Sequence, residues 1–161
     1  MHELPHPIGK RYIRRIEKEL SKKLPTDLIE LYGAFNGFSL FHGGLNLFGS
    51  TYGNTFSIDE RLPYPIVGGN HPMKCPMETT SDMLYIGTFG MDASLVFVDL
   101  NDGTVHRTGR TELKKLASWE SIADWIVIEI QRLERIALEM EPFEPLRDEY
   151  LPWGNRLRQE G

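Results

Sequence analysis

The sequence contains one cysteine, Cys75, among 161 residues, which excludes an intramolecular disulfide framework and suits a reducing compartment. It also lacks a long apolar run. Its most hydrophobic stretch, Trp119 to Ile136, is interrupted by Glu120, Asp124, Glu129, Arg132, Glu134 and Arg135. That pattern excludes a membrane span and points to an amphipathic helix packed on a core. No internal repeat or low-complexity segment is present. The opening residues Met1-His2-Glu3-Leu4-Pro5 carry no apolar signal segment, so a cytoplasmic location is expected. With 40% hydrophobic and 25% charged residues, the composition is that of a folded protein. The length predicts one domain spanning 1–161, with its core in about 8–140 and a tail over 141–161.

Charge is unevenly distributed. The net charge is -5, yet residues 1–23 hold seven Lys/Arg against three Asp/Glu, and residues 112–150 hold five against ten. An acidic chain of this kind is a poor match for non-specific nucleic-acid binding, which depends on neutralising phosphates.

Ile8, Tyr12, Ile13, Ile16 and Leu20 recur at helical spacing among lysines and arginines, predicting a basic amphipathic first helix. Pro25 ends it and opens a second, in which Leu28, Leu31, Tyr32 and Phe35 share one face and Asn36-Gly37 supplies the stop. The period then changes. Leu45 to Phe48, Met83 to Phe89 and Leu95 to Leu100 read as strands, and Asn101-Asp102-Gly103 turns the chain into Thr104-Val105-His106 as a hairpin. The fold class is therefore α+β with a mainly antiparallel sheet. Residues 49–82, rich in proline and glycine, form a long connection. Ser118 is expected to cap a last long helix whose stripe includes Ile122, Ile126, Ile130 and Leu133.

His2 and His6 have the i, i+4 spacing of helical metal ligands, but Pro5 and Pro7 oppose a helix there, and no other group forms a catalytic or metal-binding unit, so no cofactor and no metal are expected. Asp59, His71 and Cys75 share the 49–82 connection and would be the groups of a small hydrolase. However, no helix N-terminus or basic cluster is evident there to activate the thiol. The Asp59-Glu60 pair lacks the ligand array that a cation needs. Gly87-Thr88-Phe89-Gly90 lacks the lysine of a phosphate loop.

Leu24-Pro25-Thr26-Asp27-Leu28, Tyr32 and Phe35-Asn36-Gly37 form one block of sequence words. Leu47-Phe48-Gly49, Tyr85-Ile86-Gly87, Leu95 to Leu100, Asp102-Gly103 and Trp119-Glu120-Ser121-Ile122 follow it in order. Together they resemble the SUKH superfamily, which includes fungal cell-wall-assembly regulators and bacterial immunity proteins. The resemblance implies a bent antiparallel sheet flanked by two N-terminal helices and a long C-terminal helix. It also implies a non-enzymatic protein-binding domain, typically a cytoplasmic immunity protein that neutralises a polymorphic toxin.

The residues expected to meet a protein partner are His42, Tyr52, Phe56, Asp59, Glu60 and Asp92, which lie among glycines, serines and asparagines in segments between strands. Acidity predicts a partner with a basic surface, and a toxin that acts on nucleic acid would present one. Direct contact with nucleic acid or membrane is not expected, and the oligomeric state is open. A housekeeping scaffold and a small hydrolase remain the alternatives.

Overall fold

A computed structural model describes residues 6–50 and 64–139. The elements are α1 (Lys10–Leu20), α2 (Thr26–Ala34), β1 (Phe38–Leu40), β2 (Leu45–Leu47), α3 (Ile66–Gly69), β3 (Met83–Phe89), β4 (Ser94–Asp99), β5 (Val105–Thr108), β6 (Lys115–Trp119) and α4 (Ile122–Glu139). The architecture is α+β. Six strands form one sheet in the order β1-β2-β3-β4-β5-β6, and every neighbouring pair is antiparallel. Each strand thus pairs with the next in sequence, even β2 with β3 across residues 48–82.

Helix α1 forms where the periodicity places it, with Ile13 and Ile16 buried and Ser21 closing it in a left-handed conformation, φ 52°. On α2 the core residues are Leu28 and Tyr32, whereas Leu31 and Phe35 are only half-buried. All four residues of the expected face thus pack on the core, Leu28 and Tyr32 at its centre and Leu31 and Phe35 at its margin. The nine-residue α2 buries its Leu28–Tyr32 edge most deeply. Leu24, Leu28, Tyr32, Leu47, Ile86, Val96, Val98, Ile122, Trp125 and Leu133 belong to one core, with Ile126 and Ile130 packed at its margin. The Tyr32 hydroxyl donates to the Phe48 carbonyl at 2.7 Å, and burial holds the phenol protonated by raising its pKa.

Three details depart from the sequence expectations. Asn36 is not the cap of α2: the helix ends at Ala34 with Phe35 extended, Gly37 takes the expected left-handed conformation at φ 69°, and the Asn36 side chain reaches across the fold to Ser50. Strands β1 and β6 were not expected, because three residues of β1 and the Lys115-Leu116-Ala117 stretch of β6 are too short or too polar to register as strand words. Ser118 lies in β6, and the cap of α4 is Ser121, whose Oγ accepts from the Asp124 N–H at 3.1 Å.

Helix α4 covers one face of the sheet. Its Trp125 ring presses on Gly87, where any Cβ would collide with that ring and with the Asn46 carbonyl. Within α4, Glu129 and Arg132 are buried together, Oε2 to Nη2 at 2.6 Å. A one-sided polar pattern would have left them outside. Among the described residues no helix is long and apolar enough to cross a membrane.

Candidate protein-binding cleft

Side chains alternate across a strand, so the neighbour of Gly87, Thr88, faces away from α4. Thr88 stands in a cross-strand row: Ser39 opposes Asn46, Asn46 opposes Thr88, and Thr88 opposes Leu95. These four residues, contributed by β1 to β4, form the floor of an open cleft of about 630 Å³. Phe48, Tyr64, Gly69, Lys74, Gly90, Ala93 and Arg110 complete its lining.

The floor is held by the Asn46 amide, whose Nδ2 donates to the Gly43 carbonyl at 2.8 Å and to the Thr88 hydroxyl at 3.3 Å. The aromatic part of the lining is fixed by Phe48 and Tyr64, with ring centroids 5.4 Å apart. Lys74 lies over the Tyr64 ring with its ammonium 4.7 Å from the centroid, and the same ammonium donates to the phenol oxygen. Lys74 and Arg110 are exposed, and no carboxylate appears among the described lining residues.

Two turns meet at one end of the cleft. The β1–β2 connection holds Phe41, His42 and Gly43 consecutively at positive φ, 51°, 55° and 90°, and the β3–β4 turn holds Ala93 at 56°. The Gly90 N–H donates to the Gly43 carbonyl at 3.0 Å and ties the turns together, an approach that a Cβ on Gly90 would block. A non-glycine residue in this region costs about 1–3 kcal/mol, and such strain gathers at functional sites.

Of the residues predicted to meet a partner, His42 is exposed on the first turn. Asp92 belongs to the second, but its carboxylate is buried: Oδ2 accepts from Arg107 Nη2 at 2.6 Å, and Oδ1 from the Ser94 N–H at 2.9 Å. The structure thus brings the turns of His42 and Asp92 together at the cleft while turning the Asp92 carboxylate inward. Tyr52, Phe56, Asp59 and Glu60 lie outside the described residues.

The groups of the hydrolase alternative are engaged otherwise. His71 Nδ1 accepts from the Met73 N–H at 3.3 Å in a short 3₁₀ turn, and the Cys75 thiol donates to the Gly69 carbonyl at 3.4 Å. Burial pushes the thiol pKa up, with Lys22 opposing it. Asp59 lies outside the described residues. Among the described residues no cluster of His, Cys, Asp or Glu is placed to hold a metal.

A polar cluster that sequence reading missed joins β5 to β6. The Ser118 hydroxyl lies 2.7 Å from His106 Nδ1, Thr104 Oγ1 lies 2.9 Å from Nε2, and Thr104 Oγ1 donates to Asp102 at 2.6 Å. Lys115 Nζ is 3.2 Å from the same Nε2. Desolvation, reinforced by Lys115, lowers the His106 pKa below its ordinary value.

The family profile described as SMI1 / KNR4 family (SUKH-1) matches residues 7–128, from just before the first core residue, Ile8, into the first two turns of α4. The chain belongs to that family. No curated protein matches it. The SUKH-1 match spans every strand of the sheet and the whole floor of the cleft. It leaves the last turns of α4 outside the shared region. The cleft residues were missed because they are far apart in sequence. One signal was present: Asn46 stands between Leu45 and Leu47, so in a strand it must face away from their core.

Proposed function

We propose that this SUKH-1 chain is a non-enzymatic, cytoplasmic protein-binding domain of the immunity type, which neutralises a toxin domain by docking it on the open sheet face. The observation that carries the reading is the cleft in a SUKH-1 chain, rimmed by two strained turns that are hydrogen-bonded to each other. Its lining of hydroxyls, an amide, aromatic rings and two exposed cations is recognition chemistry. The thiol and imidazole of the hydrolase alternative already serve as local structural bonds.

Two ranges of electrostatics act on such a partner. The net charge of -5 favours encounter with a basic toxin surface and raises its association rate, an effect that salt weakens over about 8–10 Å. Inside the cleft, Lys74, Arg110 and the hydroxyls instead meet acceptor groups of the docked chain.

The test is co-expression with a toxin domain encoded beside this gene. The wild type and the Asp59→Ala/His71→Ala/Cys75→Ala variant should both restore growth, and Lys74→Glu/Arg110→Glu should not. Protection that survives the double charge reversal would remove the cleft from the interface. Loss of protection in a folded triple variant would overturn the non-enzymatic reading. Absence of protection against every neighbouring toxin would favour the cell-wall-regulator type of scaffold.

A further inference from the structure

We infer that the outer face of α1 is a second interaction surface, distinct from the cleft, which docks a short acidic segment of a partner protein. Ile13 and Ile16 bury the inner face of the helix, which leaves Lys10, Arg11, Arg14 and Lys18 exposed on the opposite side. At 100° per residue these four fall within an arc of about 100°, and they span about 12 Å of helix axis. Among the described residues, the ion pairs of α1 are Arg15 with Glu19 and Glu17 with Lys23, so none of the four forms a salt bridge, and Arg14 alone among them feels the Glu17 carboxylate. The stripe ends in a shallow hollow of about 370 Å³, lined by Arg14, Glu17, Lys18, Ser21, Lys22 and Lys23. Glu17 offsets only one of the four cations there: its carboxylate pairs with Lys23 at 2.9 Å and accepts from the Leu24 N–H at 3.1 Å, so the hollow stays positive.

The surrounding charge selects the class of partner. Residues 1–23 have a net charge of +4, and with -5 for the chain the remaining residues carry -9. A long polyanion such as nucleic acid, or a planar anionic membrane, would extend beyond the 12 Å stripe and meet that negative body within a screening length of about 8–10 Å. A compact acidic segment does not. At about 3.3 Å per residue, four or five extended residues match the stripe, and the two arginines offer forked donors that suit carboxylates.

Fluorescence anisotropy with a labelled octaglutamate peptide at low salt tests this, with single-stranded DNA and phosphatidylserine vesicles as competitors. The full chain should bind the peptide, and Arg11→Glu/Arg14→Glu should weaken binding at least tenfold with an unchanged circular-dichroism spectrum. Reversal of an exposed α4 cation, Arg135→Glu, should leave affinity within twofold. An unchanged affinity in the α1 variant would overturn the proposal. So would tighter binding of the DNA or the vesicles, or loss of peptide binding in Lys74→Glu/Arg110→Glu instead.

Discussion

The side-chain amide of Asn36 and the backbone of Ser50 bond reciprocally: Asn36 Nδ2 donates to the Ser50 carbonyl at 2.7 Å, and the Ser50 N–H donates to Asn36 Oδ1 at 2.5 Å. Both residues are buried, so this pair closes the chain after α2 onto the segment leaving β2. Asn36→Ala removes both of these bonds from a buried N–H and C=O and should cost about 2–4 kcal/mol. Asn36→Asp should cost at least as much, since it puts an acceptor against the Ser50 carbonyl. Urea unfolding measures both.

The core prediction distinguishes neighbours on one helix. Leu28 is fully buried and Leu31 only half-buried. Leu28→Ala should lower stability by about 2–5 kcal/mol and Leu31→Ala by clearly less. Equal losses in thermal unfolding would mean that α2 packs through the wider face its spacing describes.

The Arg107 guanidinium lies 4.2 Å from the Phe89 ring centroid and is bonded to Asp92 and to the Ser94 hydroxyl, with only 7% and 1% of the two ion-pair side chains exposed. Removal of the carboxylate that meets a buried guanidinium is costly, so Asp92→Ala should cost about 3–5 kcal/mol. Under the immunity role proposed above, protection should fall with stability, because Asp92 sits in the turn beside Ala93, and conditions that restore folding should restore it.

His106 makes stability depend on pH. Its folded pKa lies below the unfolded value of about 6.5, through desolvation and the nearby Lys115, with Asp102 and Asp99 opposing. A depressed histidine contributes stability that is complete above the unfolded pKa and is lost as pH falls through the folded one. Unfolding free energy should therefore decline below about pH 6.5, and His106→Gln should flatten that decline. Parallel pH profiles for wild type and variant would refute the assignment.

Cys75 should be a slow thiol. Burial raises its pKa, and its Sγ–H is donated to Gly69. Its reaction with a disulfide reagent at neutral pH should be slower than that of free cysteine and should accelerate on unfolding. A rate at or above that of the free amino acid would indicate an activated thiol and revive the hydrolase reading.

Local pattern in the sequence determined the helices α1, α2 and α4, the strands β2 to β5 and the α+β class, because a helix or strand announces itself through the spacing of apolar residues within one segment. The ordered words from Leu24-Pro25 to Trp119-Glu120 likewise determined the family. Tertiary structure decided what periodicity cannot carry. Strands β1 and β6 exist because β2 and β5 offer them edges, and register is a property of two segments rather than one. The fate of polar residues was equally non-local: Asp92 turned inward because Arg107, 15 residues away, meets it, and Asn36 left the helix end for Ser50. The cleft itself appears only when Ser39, Asn46, Thr88 and Leu95 come into one row, since side-chain alternation fixes which face each residue takes but only strand pairing fixes its neighbours.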